Sequence, residues 1–248
     1  MFISMDLDDT LLRKNKSISD YSLKVLQKLK QLGHIIIINT ARNKAMTKEL
    51  IDIIKPDFVS VNAGCLIFDN NDNVIYSDPI DKEITNKLVK ELLEYTSNIS
   101  IQSYDTLFTT NLNNTNPNAV IIDNENYNID AYKILPFKLD SNIALEKAKK
   151  YNLNYTSYFG GNWSRYCKEP NNKLTGLKFI VDFCNGSMDD TISFGDDYSD
   201  IPMIEGSYIG VAMSNGMEDV IRIAKYVCNS CDDDGVAKFL SKYFNLEV

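Results

Sequence analysis

The chain of 248 residues holds one histidine, one tryptophan and six prolines, and no apolar run in it approaches the length of a membrane span. No basic segment leads into an apolar stretch at the N-terminus, so neither leader nor anchor is expected and cytoplasmic residence follows. Basic runs are missing too: 26 Lys and Arg stand against 34 Asp and Glu, a formal net charge of −8. That balance excludes nucleic-acid polymers and anionic membranes as partners and points to small molecules. A phosphorylated ligand would be repelled at long range, so binding one calls for a local cation. The oligomeric state is left open, a monomer included.

The cysteines, Cys65, Cys167, Cys184, Cys228 and Cys231, are odd in number and scattered, unlike a secreted disulfide framework, so free thiols are expected. Cys228 and Cys231 have C-x-x-C spacing but no second pair and no histidine nearby, which favours the end of a buried strand over zinc or redox use. The lone His34 precedes a strand-like run, Ile35 to Ile38, and so belongs at the edge of a sheet away from its carboxyl ends. A histidine-based mechanism is thereby disfavoured.

What the chain does have is acid at the ends of strands. The run Met1 to Met5 reads as a short buried strand, and Asp6-Leu7-Asp8-Asp9-Thr10 begins where it stops. In extended chain Asp6 and Asp8 point to the same side, aimed at the crevice where open α/β sheets bind ligands. Two carboxylates about 4 Å apart repel by roughly 4 kcal/mol at an effective dielectric of 20, which a divalent cation or a retained proton relieves. Aspartyl phosphoryl transfer uses both, an ionised Asp attacking phosphorus beside magnesium and a neutral Asp protonating the leaving oxygen. The plainer alternative is a turn rich in Asp because Asp accepts local backbone hydrogen bonds.

Leu23, Leu26, Leu29 and Leu32 give a helix over about 20–32, stopped by Gly33. The strand after it ends in Asn39-Thr40-Ala41-Arg42, and a helix with Met46 and Leu50 on one face runs to Pro56. Thr40 and the amides of the following turn suit a phosphate oxygen, and Thr40 suits equally the capping of that helix. Phe58 to Val61 makes a third strand. The texture then changes: residues 79–170 are rich in Asn and Tyr, with helices near Ile84 to Tyr95 and Ser141 to Tyr151. Strand-like runs there cover Ile99 to Thr110, Ala119 to Ile122, Lys133 to Leu139 and a hairpin around Gly160-Gly161-Asn162. This reads as an antiparallel α+β insertion. Tyr104, Lys133, Tyr158, Trp163, Arg165 and Tyr166 are candidates to line a pocket in it, or to be its own core and surface. The α/β texture returns with a helix whose first turn holds Lys173, then the strand Thr191 to Phe194 ending in Gly195-Asp196-Asp197-Tyr198-Ser199-Asp200, then further strands and helices.

In this order, Asp-x-Asp-x-Thr, Thr40, Lys173 and Gly-Asp-x-x-x-Asp resemble the haloacid dehalogenase superfamily of aspartyl phosphotransferases over nearly the whole chain. Asp200-Ile201-Pro202-Met203, Gly210 to Asn215 and Asp234-Gly235-Val236-Ala237 look like its Cof-type branch, whose α/β cap lies between the second and third motifs. The resemblance implies an α/β fold, a Rossmann-like parallel-sheet core formed by 1–78 and 171–248, with 79–170 as an inserted α+β cap that sets substrate specificity. It implies Asp6 as nucleophile, Asp8 as acid and base, and Mg²⁺ held by Asp6, Asp196 and the Asp8 carbonyl. Thr40, Ala41, Arg42, Lys173 and Ser199 would bind substrate, Thr40 and Lys173 at the reacting phosphate, while Asp200 orients the lysine or metal waters. Asp9 stands where the family often has Gly and reads as a solvated turn acid. Ser199 replaces an Asn usual in this branch and is shorter. The implied reaction is Mg-dependent hydrolysis of small phosphorylated metabolites, sugar phosphates or similar monoesters. A sugar phosphomutase is the alternative, and a phospho-receiver fits less, because it carries its acid pair and phosphoacceptor on different strands.

Overall fold

A computed structural model describes residues 1–114, 116–122, 125–158 and 162–247. The chain forms two compact units: one comprises residues 1–41, 49–75 and 172–248, the other 42–48 and 76–171.

The first unit is built on strands β1 (Phe2–Met5), β2 (Ile35–Asn39), β3 (Phe58–Val61), β4 (Leu66–Asp69), β12 (Thr191–Gly195), β13 (Ile209–Met213) and β14 (Tyr226–Cys228). With β5 (Val74–Ser77) at one edge they make one sheet in the order β14-β13-β12-β1-β2-β3-β4-β5. β1, β12 and β13 are buried throughout, Ser4 and Ser193 included, as strands covered on both faces should be, and the pairs from β14 to β3 are parallel. The helices are α1 (Asp20–Gln31), α2 (Lys48–Ile54), α5 (Lys173–Phe183), α6 (Ile201–Gly206), α7 (Glu218–Ile223) and α8 (Gly235–Tyr243). α1 starts where the Ser19 side chain accepts from the Ser22 amide and ends at Gly33, whose φ of +82° suits a helix stop. The expected α/β fold with a parallel core is what forms.

β4 is the departure, running antiparallel to β3. Asn62, Ala63 and Gly64 all take positive φ and turn the chain straight back. At Gly64 a Cβ would lie 2.3 Å from the Asn172 carbonyl oxygen, so only glycine fits there. His34 sits at the amino end of β2, 3.3 Å from the N-terminal amine and packed at a tilt against Phe244. All five cysteines are free.

The second unit carries β6 (Ile99–Gln102), β7 (Leu107–Thr109), β8 (Ala119–Ile121), β9 (Lys133–Pro136), β10 (Asn154–Tyr158) and β11 (Trp163–Cys167), in the order β10-β11-β9-β6-β7-β8. α3 (Lys82–Leu92) and α4 (Ser141–Tyr151) bury Leu88, Leu92 and Ala144 against Ile99, Ile101, Ile134 and Tyr166 of the sheet. The run expected over 99–110 is two strands, because the Ser103 and Thr106 backbones and the Ser103 hydroxyl close a tight turn between them. β7 and β8 pair in parallel, unlike the antiparallel remainder. β10 and β11 pair as a hairpin requires, and the turn around Gly160-Gly161 lies outside the described residues. No described helix is long and apolar enough to cross a membrane.

Candidate active site

β1 and β12 are neighbours with Met5 opposite Phe194, and the Asp6 amide extends their ladder by donating to the Phe194 carbonyl at 3.2 Å. Both acidic turns therefore leave adjacent strands at the carboxyl end of the sheet, where α/β folds place ligands. The second turn folds back on itself. Asp200 accepts from the Asp196 amide at 3.1 Å and the Asp197 amide at 3.2 Å, which brings its buried carboxylate under the strand end. Gly195 makes room for this, since a Cβ there would lie 2.3 Å from the Asp200 carboxyl carbon.

Lys173 arrives from the far side of the insertion as the first residue of α5. Its helix begins with a reciprocal cap: Asn172 Oδ1 accepts from the Leu174 and Thr175 amides, and Thr175 Oγ1 accepts from the Asn172 amide. Asn39 at the end of β2 donates to the Lys173 carbonyl at 2.7 Å. The side chain, 1% exposed, ends with its ammonium 2.9 Å from Asp6 Oδ1 and 2.7 Å from Asp200 Oδ1.

Carboxylate oxygens of Asp6, Asp196 and Asp200 lie within 4.8 Å of one another, so three acids face one buried ammonium. Burial opposes the Lys173 charge, but Asp200 and Asp6 more than offset it and hold its pKa above the ordinary lysine value. The acids bear the imbalance. Burial raises Asp6 despite Lys173, pushes Asp196 up to about 7 and pushes Asp200 up to about 8. An excess of buried carboxylate with all-oxygen donors is the chemistry of a hard divalent cation such as Mg²⁺, and the residues present fit one.

Other expected residues are placed as follows. Asp8 is not in this oxygen cluster, because the chain leaves extended conformation after Asp6 and turns through residues 7–11, with Leu12 N bonded to the Leu7 carbonyl at 2.8 Å. Its carboxylate is 3.0 Å from the Lys16 ammonium. Thr40 is buried at the end of β2, its amide donating to the Ser60 carbonyl at 2.8 Å. No helix begins directly after it: Asn43 accepts from the Met46 amide, and α2 starts only at Lys48, so Thr40 is not a helix cap. Ala41 follows Thr40, and Arg42, which groups with the second unit, donates to the Met46 carbonyl at 3.1 Å. Ser199 donates from both its amide and its hydroxyl to Asp197 Oδ1, at 2.8 and 2.7 Å.

In the insertion, Tyr166 is core, fully buried with its hydroxyl donating to the Ala144 carbonyl. Trp163 packs on Phe137, and Tyr104 accepts from Lys44 at 3.0 Å. Lys133 and Arg165 are buried, Arg165 donating to the Asn171 carbonyl at 2.7 Å. The Tyr158 side chain lies outside the described residues.

Three contributors carry no assigned role in the sequence reading. Thr10 donates to Asp196 Oδ1 at 2.8 Å and fixes that carboxylate; its place inside Asp-x-Asp-x-Thr was the available signal. Asp197 adds negative charge around Asp6, Asp196 and Asp200. Asn39 steadies the first turn of α5, and nothing in a strand-end asparagine announces that.

The family model described as haloacid dehalogenase-like hydrolase matches residues 3–240. The 5-amino-6-(5-phospho-D-ribitylamino)uracil phosphatase YitU of Bacillus subtilis (strain 168) is 26% identical over 98% of this chain and 97% of its own. The putative phosphatase YkrA of the same organism is 25% identical over 95% and 94%. Among solved structures, the phosphatase BT1666 from Bacteroides thetaiotaomicron superposes with a TM-score of 0.83 at 23% identity, covering 99% of this chain and 95% of that one. The subclass IIB sugar phosphatase BT4131 gives 0.76 at 23% identity, covering 98% of each.

Proposed function

The chain belongs to the haloacid dehalogenase-like hydrolases, and from that premise we propose that it is a Mg²⁺-dependent phosphatase of small phosphorylated metabolites, working through an aspartyl phosphate on Asp6. The observation that carries the reading is the Lys173 ammonium held between Asp6 and Asp200 inside an acid cluster left short of positive charge.

Asp6 attacks phosphorus. Lys173 favours the ionised form of Asp6 against its burial and neutralises phosphate oxygens as they come within its reach, and Asp200 fixes the lysine from behind. The Thr40 hydroxyl and the Ala41 amide hold the phosphoryl group at the end of β2, with Arg42 and Ser199 as further substrate contacts. Asp8 protonates the departing oxygen and then activates the water that hydrolyses the phosphoenzyme. Asp6, Asp196 and the Asp8 carbonyl would hold Mg²⁺, which supplies charge neutralisation at the transferring phosphate. Residues 79–170 serve as the substrate-selecting insertion. Substrates are sugar phosphates or similar monoesters, in keeping with the phosphoribityl substrate named for one relative and the sugar phosphatase among the structural neighbours.

The test is phosphate release from a panel of phosphorylated metabolites, with product analysis. Release should be lost on chelation, return with Mg²⁺, and fall more than about a hundredfold in Asp6→Asn. Activity of Asp6→Asn above that level would remove the nucleophile assignment. An isomerised sugar phosphate in place of free phosphate would make the protein a mutase.

A further inference from the structure

Resting on that reading, we propose that Lys16 is the positioning residue of Asp8. Its ammonium, 3.0 Å from Asp8 Oδ1, fixes the direction of the carboxyl group, so that the leaving oxygen of the substrate meets an acid, protonated on Oδ2, already confined to one orientation.

The segment that presents Lys16 is built for the task. Lys16 takes φ of +66°, a backbone region that residues with a Cβ rarely adopt. It closes a tight turn in which the Lys16 amide donates to the Arg13 carbonyl at 2.7 Å and the Arg13 amide to the Ser17 carbonyl at 2.9 Å. Arg13 reaches both carboxylate oxygens of Asp234, at 3.1 and 2.9 Å, and the Lys14 amide donates to Asp232 at 3.1 Å. The facing side of the arrangement is anchored as well. Asn215 donates to the Asp9 carbonyl at 2.8 Å and accepts from the Cys231 amide at 2.8 Å, so the turn bearing Asp8 is pinned at its backbone. Lys16 then spans the two held segments, 3.0 Å from Asp8 and 3.5 Å from Asp9.

Both ends of the pair are partly exposed, with side-chain accessibilities of 49% and 38%, so the contact adds little to folding stability. A backbone strained to present a pair of little stabilising value is accounted for if the pair sets the direction of a working carboxylate.

The experiment compares kcat/KM for the best sugar phosphate of the panel, a poor leaving group, with p-nitrophenyl phosphate, a good one. Asp8→Asn should lose about 10²–10⁴ on the sugar phosphate and distinctly less on the aryl phosphate. Lys16→Gln should lose about tenfold on the sugar phosphate and under about twofold on the aryl phosphate, with an unchanged melting temperature. Lys16→Arg should restore most of the loss, and Lys16→Gln should add nothing in an Asp8→Asn background. Equal losses on both substrates, no loss on the sugar phosphate, or a loss that persists without Asp8 overturns the role of Lys16 while leaving the phosphatase reading intact. A wild type that releases phosphate from neither substrate removes that reading and the positioning role with it, whereas an Asp8→Asn variant that does not discriminate withdraws Asp8 as the acid and so overturns the positioning role alone.

Discussion

Replacing Lys173 by methionine keeps most of the stem and deletes the charge. In the wild type that charge lies 2.9 Å from Asp6 and 2.7 Å from Asp200, with 1% of the lysine side chain exposed. Taking away one partner of a buried ionic set costs about 3–5 kcal/mol, while a thioether of similar volume adds only a small packing penalty. In a chain of this size each kcal/mol moves the melting temperature by about 2–4 °C, so the metal-free variant should melt about 6–20 °C lower near pH 8. The deficit depends on pH with a definite sign. Burial already pushes Asp196 up to about 7 and Asp200 up to about 8 in the wild type, and loss of the ammonium moves the buried acids further up. An unfolded Asp titrates near about 3.9, so between there and the raised values the folded state binds more protons than the unfolded one, and stability falls as pH rises. The gap between variant and wild type is therefore small towards pH 5 and widens as pH rises through about 7 and about 8. Thermal unfolding of both proteins at several pH values, with and without Mg²⁺, measures it; added Mg²⁺ should recover part of the loss at pH 8. A gap that does not vary with pH, or a variant as stable as wild type at pH 8, would refute the argument that Lys173 neutralises these acids.

Two further substitutions probe how the lysine is held. Gly195→Ala puts a Cβ 2.3 Å from the Asp200 carboxyl carbon, so it should cost about 1–3 kcal/mol in a urea titration and slow turnover by displacing Asp200; an unaltered midpoint contradicts the close approach. Asn172→Ala removes the cap of α5 and should cost about 1 kcal/mol, with a fall in kcat as the first turn carrying Lys173 frays; a stability loss without any change in kcat would separate the cap from the site.

The core was readable where burial imposes a pattern. β1, β2 and β12 are short, mostly apolar runs, and the residues that directly follow them are Asp6, Thr40 and Asp196, so strand order along the chain nearly names the site. Lys173 was readable because an asparagine pair precedes a helical period. The direction of the Asp8 carboxylate is not carried by strand alternation: Asp8 and Asp9 interrupt the helical turn of residues 7–11, Asp9 with φ of +55°, and the Asp8 carboxylate pairs with Lys16. β4 escaped because Asn62-Ala63-Gly64 contains no familiar hairpin dipeptide, yet two residues with side chains take left-handed backbone there. The parallel pairing of β8 with β7 depends on a long connection whose path no local pattern specifies.

The place of β1 between β2 and β12 also bears on how the chain is made. Its first neighbour in the sheet, β2, is synthesised soon after it, but its second, β12, follows about 190 residues later, with the whole of the second unit translated in between. At about 5–20 residues per second, one edge of this fully buried strand waits about 10–40 s for its partner on the ribosome. Contacts of such long sequence separation slow folding, and an open strand edge is the species most prone to pair with the wrong chain. The same interval leaves Asp6 without its lysine, so the acid cluster and the centre of the sheet are completed together, late, when the last third of the chain emerges.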